Sequence, residues 1–411
     1  MPTVSLLRDT LVILSPAYAL PPDKLAKAIA LNHDETILGL ISLAWGFLSL
    51  LLILRLGIAS RLSRYAANIT SKPWLQGCIF VPSLILLDSV LNLPLSLAGH
   101  HIAVAFGLSV QRWPSWFGDH GKSLLLALAA GTVVISILFA IVRHSPRLWW
   151  FWFWLISIPL TLGSVYLVPV VIDPLFNHYQ PLQQTNPALV AQLERVVAKS
   201  GIVIPPSRMY LMKASEKVTT ANAYVTGFGS SKRVVVWDTT IHSSTPDGIL
   251  FVFGHELGHY VLGHIVTGTV LGIFGTLVYL WLGYHLAHWL IRKRGPRWGV
   301  SALSDWSAVV VLLLAGEILG FLSSPIENGI SRHFEHQADI YGEEVIHGIV
   351  ANPRQTAQES FQQLGEQSLD IPNPNRLQVF WDYSHPTILD RATFARDYNP
   401  WAPGRKPKYV P

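Results

Sequence analysis

Residues 246–290 read PDGILFVFGHELGHYVLGHIVTGTVLGIFGTLVYLWLGYHLAHWL, and two patterns meet in them. The first half repeats apolar residues at helical spacing around His255, Glu256 and His259. The second half, Ile265 to Leu290, is apolar for longer than the roughly 20 residues that cross a hydrocarbon core. Ser244 or Thr245 offers an N-cap, Pro246 fits the first helical position and Asp247 the first turn. These residues predict a helix bearing ionisable side chains that leads into a membrane span.

Five other segments are long and apolar enough to span: Thr36 to Ile58, Leu75 to Ala98, Ser123 to Val142, Leu148 to Ile172, and Leu303 to Leu322. Composition agrees. Half of the 411 residues are hydrophobic and 13% are charged, where soluble proteins carry roughly 25% charged residues. Mean hydropathy is +0.37. Trp149, Trp150, Trp152 and Trp154 read as an interfacial belt.

The chain therefore divides into an N-terminal segment (1–35), four spans (36–172), a polar segment (173–264), two spans (265–322) and a polar tail (323–411). Leu11 to Leu14, with Arg8 before and Ala17 and Ala19 after, is signal-like, although short and preceded by Asp9. Alternation of six spans puts the two polar segments on one side of the membrane, where both can contribute to one site. The lipid bilayer is thus one partner. Lysines and arginines sit in short loops between spans, without the aromatic interleaving of a nucleic-acid surface, so nucleic acid is not expected.

In the first polar segment, Asn186 to Ser200 reads as an amphipathic helix and Arg208 to Met212 as a strand. Ala221 to Thr226 and Arg233 to Thr239 form the arms of a β-hairpin across a Gly-Phe-Gly-Ser-Ser turn. The expected fold is mainly α: a polytopic helical membrane bundle with a small α+β domain. The last residues, Asn399 to Pro411, are proline-rich and expected to fray.

His255-Glu256-Leu257-Gly258-His259 fits HExxH. Residues four apart share a helix face, so two imidazoles can bind one zinc ion. Glu256 lies beside them, where a carboxylate can take a proton from an attacking water and return it to the leaving amine. The single cysteine, Cys78, lies in an apolar run, so thiolates supply no metal cage. A catalytic zinc needs a third protein ligand and an open position. His264 stands nine residues beyond His255, on the opposite face if the helix is continuous. The tail offers Ser331-Arg332-His333-Phe334-Glu335-His336-Gln337-Ala338-Asp339, in which Glu335 and Asp339 share a helix face. Glu335 could bind the metal with Asp339 supporting a ligand imidazole; His333 and His336 are alternatives.

These motifs resemble those of the zinc-dependent CAAX prenyl protease family and its bacterial HtpX-like relatives. The similarity rests on Asp173-Pro174-Leu175-Phe176-Asn177, Asn222-Ala223-Tyr224, HELGH with His264, Ser331-Arg332 through Glu335 to Asp339, and His385-Pro386 followed by Arg391. Leu93-Pro94 and Phe106-Gly107 extend it towards the N-terminus. The resemblance implies a gluzincin-type domain with one zinc ion per chain, Glu335 as third ligand and Asp339 behind the ligands. It also implies that His385 and Arg391 line the cleft. His385 would donate to the oxyanion; Arg391 would bind substrate or pair with a helix carboxylate. Asn222 and Ala223 would lie on a strand edge that receives a peptide or membrane-associated protein substrate. Asp88 and Glu317 fall inside spans, and relatives enclose a water-filled chamber that such carboxylates could face.

Six spans suit the bacterial branch, hence a bacterial inner membrane. Arg55, Arg61, Arg64, Lys72, Arg143, Arg147, Arg292, Lys293, Arg294 and Arg297 lie on the side away from the HExxH helix. Arg8, Lys24, Lys27, Arg112 and Lys122 lie on the same side as that helix. The positive-inside rule then puts the catalytic face outside the cytoplasm. The expected function is peptide hydrolysis, either CAAX-type processing or membrane protein quality control. A transporter or scaffold with a structural metal site is the competing reading, and it leaves Glu256 without a purpose.

Overall fold

The computed structural model describes residues 16–227 and 232–410. The signal-like Leu11 to Leu14 and the hairpin tip at 228–231 lie outside them. In chain order, α1 (Pro22–Arg55), the short α2 (Ile58–Ile69), α3 (Pro73–Ala105), α4 (Trp113–His144) and α5 (Trp149–Leu167) come first. A π-helical turn at Val168–Ile172 joins α5 to α6 (Asp173–Phe176). There follow β1 (Tyr179–Pro181), α7 (Leu182–Thr185), α8 (Pro187–Ser200), β2 (Met209–Met212), β3 (Ala223–Thr226), β4 (Arg233–Trp237), α9 (Asp238–Ser243) and α10 (Pro246–Val261). The chain ends with α11 (His264–Trp298), α12 (Ala308–Val345), α13 (Pro353–Ser368), α14 (Arg376–Asp382) and α15 (Ile388–Asp397).

Six helices among the described residues are long and apolar enough to cross a membrane: α1, α3, α4, α5 with its extension, α11 and α12. A helix satisfies its own backbone groups, as hydrocarbon requires. Leucines, valines and phenylalanines such as Val90, Leu125, Val133 and Phe274 are left exposed on the outside. Within the bundle, Trp306 stacks on Phe139 with ring centres 4.9 Å apart. Trp149 departs from the expected interfacial belt: it is 2% exposed and packs inside the bundle, because a ring at the start of α5 faces its helix neighbours, not lipid.

Contacts at each end fix the alternation of the spans. At one end, Arg143 donates to the Ser304 carbonyl (3.2 Å). At the other, Val110 N–H donates to Lys217 O (2.9 Å), and the Lys217 ammonium meets Asp119 at 2.6 Å. The two polar segments therefore lie on one side and share a core that includes Leu193, Val236, Phe251 and Phe361. Tyr18, Ala28 and Leu31 of the N-terminal segment join it.

The sheet runs β1-β2-β4-β3. The expected hairpin forms as antiparallel β3 and β4, with Ala223 opposite Val236. β2 pairs with β4 in parallel. β1 adds an antiparallel strand with no alternating apolar run to announce it. β3 is an outer strand, so one of its edges pairs with no other strand among the described residues.

Glycines set how closely α10 approaches α12. A Cβ on Gly254 would stand 2.7 Å from Val345, one on Gly258 2.9 Å from Tyr341, and one on Gly342 2.9 Å from the His255 backbone nitrogen. The two backbones therefore approach where only glycine fits. The expected fraying of the C-terminus does not occur in residues 399–410. Glu344 of α12 accepts the N–H groups of Lys408, Tyr409 and Val410 at 2.5, 2.7 and 2.9 Å, and the Tyr398 hydroxyl at 2.5 Å. Composition alone misses this because a single buried carboxylate makes the tail ordered.

Gly342→Ala must push α10 away from α12, since the obstacle is backbone. Overpacking of this kind costs about 1–3 kcal/mol, so thermal melting in detergent should show a clearly lower midpoint than the parent protein.

Burial pushes Asp370 up to about 6, with Arg391 opposing. The folded state then holds a proton that the unfolded state releases above its ordinary value of 3.8. Its contribution to stability is lost as pH rises from about 4 to 6 and stays lost above. Asp370→Asn should remove that decline and raise the melting temperature at pH 7 relative to the parent.

Candidate metal centre

α10 begins where its sequence signals place it, with Thr245 Oγ1 accepting the Gly248 N–H at 3.1 Å. Three turns on, His255 and His259 project on one face, their Nε2 atoms 3.2 Å apart. Glu335 comes from α12, beyond the apolar part of that helix that ends at Leu322. Its Oε2 stands 3.2 Å from His255 Nε2 and its Oε1 3.4 Å from His259 Nε2. His255, His259 and Glu335 are the one His/Cys/Asp/Glu group among the described residues gathered tightly enough to hold a metal ion. His336 packs against Phe394 with ring centres 4.7 Å apart, and neither it nor His333 joins the group.

The outer nitrogens of both imidazoles have partners. His255 Nδ1 lies 2.8 Å from Asp339 Oδ1, so its N–H donates there and leaves Nε2 a bare lone pair. His259 Nδ1 lies 3.1 Å from His264 Nδ1, and His264 Nε2 lies 2.9 Å from the Gln337 side-chain oxygen. An Nε2–H on His264 donates to Gln337, leaving its Nδ1 to accept from His259. Lone pairs of two imidazoles and a carboxylate then converge at 3.2 to 3.4 Å. Glu335 Oε2 is buried with no hydrogen-bond partner, which is costly unless a cation satisfies it. Ligand atoms roughly 2.0–2.1 Å from a tetrahedral zinc are spaced by about this separation. The donors therefore fit the ion.

His264 does not sit across a continuous helix from His255. α10 stops at Val261, Gly263 adopts φ +72° and ψ 23°, and α11 starts at His264. The left-handed residue turns the chain and brings His264 back beside His259. A glycine one residue after Leu262 is the signal for such a helix end, and it was legible in the sequence. Gln337 carries no comparable signal, and only the fold brings it to His264, which also stacks on Phe334 (4.5 Å, 8°).

Glu256 is half-buried. Burial raises its carboxyl above the usual range, while His255 and His259 pull it down. His385 Nε2 stands 3.4 Å from Glu335 Oε2 on a side chain that is 56% exposed, so it borders the cleft. Partial desolvation among the cleft walls lowers its pKa, with Glu335 opposing and Arg391 assisting. Arg391 forks onto Asp339 at 3.0 and 2.6 Å and stacks over Phe361. Pairing with a helix carboxylate is one of the two roles expected of it. Asn222 leads into β3, with its carbonyl accepting the Trp237 N–H (3.1 Å) and the Thr240 hydroxyl (2.6 Å). Ala223 begins β3 and is buried in the core. α10 packs against this strand.

Two family models match the chain. Residues 15–178 match the CAAX prenyl protease N-terminal domain of five membrane helices. Residues 183–399, more than half of the chain, match peptidase family M48. The chain belongs to peptidase family M48. The metalloprotease YhfN of Bacillus subtilis is 29% identical over 92% of this chain and 87% of its own length. The CAAX prenyl protease 1 of Saccharomyces cerevisiae is 27% identical over 79% of this chain and 72% of its own. The crystal structure of Ste24p from S. mikatae superposes with a TM-score of 0.80 at 23% identity, covering 92% of this chain and 90% of that one. Its fold is the fold of this M48 peptidase. The chain is an integral membrane zinc metalloprotease with several membrane-spanning helices. The transporter or scaffold reading is not favoured.

His264→Phe keeps a ring for stacking on Phe334 but removes the acceptor facing His259. Loss of such a partner typically weakens metal affinity by roughly 10–100-fold. Zinc competition with a chelator should show a loss in that range, and His264→Asn, which restores an oxygen acceptor, should recover part of it.

Proposed function

We propose that this M48 peptidase holds zinc through His255, His259 and Glu335 and hydrolyses peptide bonds with Glu256 as general base. The observation that carries this reading is the convergence of three lone-pair donors at 3.2 to 3.4 Å with Glu256 beside them. Zinc, when bound, lowers the pKa of water and polarises a carbonyl oxygen. Glu256 takes the proton of the attacking water and delivers it to the leaving amine; its raised affinity for protons suits both steps. His385, neutral near pH 7 and open to the cleft, donates from its imidazole to the oxyanion that develops on the scissile carbonyl. Asp339 fixes the His255 tautomer and is itself held by Arg391, so Arg391 acts as a positioning residue.

Substrate adds as an extended strand along the outer edge of β3, led in by Asn222 and Ala223. Backbone pairing of this kind makes little demand on sequence, and it favours broad cleavage of membrane-associated or misfolded proteins. CAAX-type processing, suggested by the names of the relatives, is the narrower form of the same chemistry.

The likeness to a Bacillus protein and the six spans support a bacterial cytoplasmic membrane. The excess of arginine and lysine at the end away from the zinc ligands supports a catalytic face outside the cytoplasm. A reporter active only in the cytoplasm, fused to the C-terminus, should stay silent; strong activity would reverse the orientation.

In purified protein, Glu256→Gln should retain zinc and lose about 10²–10⁴-fold in peptide turnover. Parent-like cleavage by that variant would sink the mechanism. His385→Ala should lower kcat by roughly 10²-fold with zinc content unchanged, and an unaltered rate would remove its oxyanion role.

A further inference from the structure

A cavity of about 1450 Å³ lies within the helix bundle, larger than the roughly 300–1,000 Å³ of sites for small ligands. It reaches from Glu35 of α1 and Asp382 of α14 to Phe139 and Trp149 at the other end of the bundle. Most of its wall is apolar, contributed by residues such as Leu40 and Leu313. Three carboxylates, Glu35, Glu317 and Asp382, interrupt that wall, and no lysine, arginine or histidine is among the lining residues.

None of these three carboxylates makes a hydrogen bond or an ion pair with any other described residue. Two other carboxylates of the long helices are treated differently: Asp88 accepts from Asn92 at 3.0 Å, and Asp119 meets Lys122 and Lys217. Space is reserved for Glu317. A Cβ on Gly46 of α1 would lie 2.7 Å from its Oε1, so the facing helix carries glycine where this carboxyl sits. A carboxylate at membrane depth is expensive unless it is wet or meets a cation. No described residue lining the cavity supplies a cation.

The cavity shares two elements with the metal centre: Phe321 and Ser324 of its wall lie on α12, which carries Glu335, and Trp381 and Asp382 lie on α14, just before His385. Asp382 is three residues from His385, whose ring faces Glu335. α14, which carries the rim, is tied to α12: Asn328 donates to the Trp381 carbonyl, and Arg332 to the carbonyls of Val379 and Tyr383. Rim and ligand helix thus form one fixed edge.

We infer that the cavity receives the part of the substrate beyond the scissile bond and selects apolar segments bearing lysine or arginine, against acidic ones. This rests on the peptidase reading above. Glu317 meets the cationic side chain within the bundle, while Glu35 and Asp382 repel acidic segments at the entrance.

The test uses the full-length protein in nanodiscs of zwitterionic lipid, so that lipid charge plays no part. Three fluorogenic peptides share one cleavage sequence and one apolar flank, and differ only in carrying Lys, Gln or Glu within that flank. Binding is read by fluorescence anisotropy on the Glu256→Gln protein, and KM on the parent. The Lys peptide should bind about fivefold more tightly than the Gln peptide, as one partly desolvated ion pair supplies, and the Glu peptide more weakly still. Glu317→Gln should bring the Lys-to-Gln ratio close to one, with zinc content and melting temperature checked in parallel. If that variant does not fold, the double change Glu35→Gln and Asp382→Asn should reduce discrimination against the Glu peptide. Equal binding of all three peptides, or an unchanged ratio in a folded Glu317→Gln protein, would overturn the inference. Charge-ordered binding without cleavage by the zinc-loaded parent would support the cavity assignment and count against the peptidase reading instead.

Discussion

The backbone-to-backbone contact of α10 with α12 underlies everything else in this molecule. Two of the proposed zinc ligands come from one helix and the third from another, separated in sequence by a full pair of membrane spans. Only the missing side chains of Gly254, Gly258 and Gly342 let the helices approach far enough for Glu335 to face both imidazoles. A methyl group at any of these positions would meet the facing helix at 2.7 to 2.9 Å, closer than van der Waals contact allows. The geometry of the centre is therefore set by steric absence as much as by the ligands themselves.

Around that contact the protein builds two separate supports. Asp339 and Arg391 hold His255 from the polar tail, and His264 with Gln337 holds His259 from the membrane side. The first support is ionic and buried. Its stability depends on both charges remaining paired, because removing one leaves the other stranded. The second is a chain of neutral donors and acceptors, in which each nitrogen's role is set by the next. Two ligands of the same type are thus tuned by different electrostatics: the carboxylate behind His255 makes it the more electron-rich donor.

Much of this could be read from the residues. The six apolar runs, the N-cap at Thr245, the hairpin and the HExxH face all follow from periodicity and local chemistry, and each is present, although the helices overrun the apolar runs: α1 already begins at Pro22 and α12 continues to Val345. The choice of Glu335 over His333 and His336 needed the family resemblance, since spacing along one helix does not say which face meets α10. What escaped reading are features made by contacts distant in sequence. β1 exists because β2 offers it an edge, and the C-terminal residues are ordered because Glu344 accepts three consecutive N–H groups. Trp149 looked like an interfacial residue until its neighbours were known. His264 is a different case, because Gly263 announced the helix end and the assumption of continuity passed over it.

The same Gly263 turn has a mechanical consequence. α11 crosses the bilayer but joins α10 through a turn. α12 has no such joint: Pro325 lies within it, yet its backbone remains helical from the span to Glu335. Lipids of different thickness, which spanning helices accommodate by tilting, therefore reach the centre by two routes: along the unbroken α12 to Glu335, and from α11 through the single contact of His264 with His259. The first route is a continuous helix and the second a turn closed by one hydrogen bond.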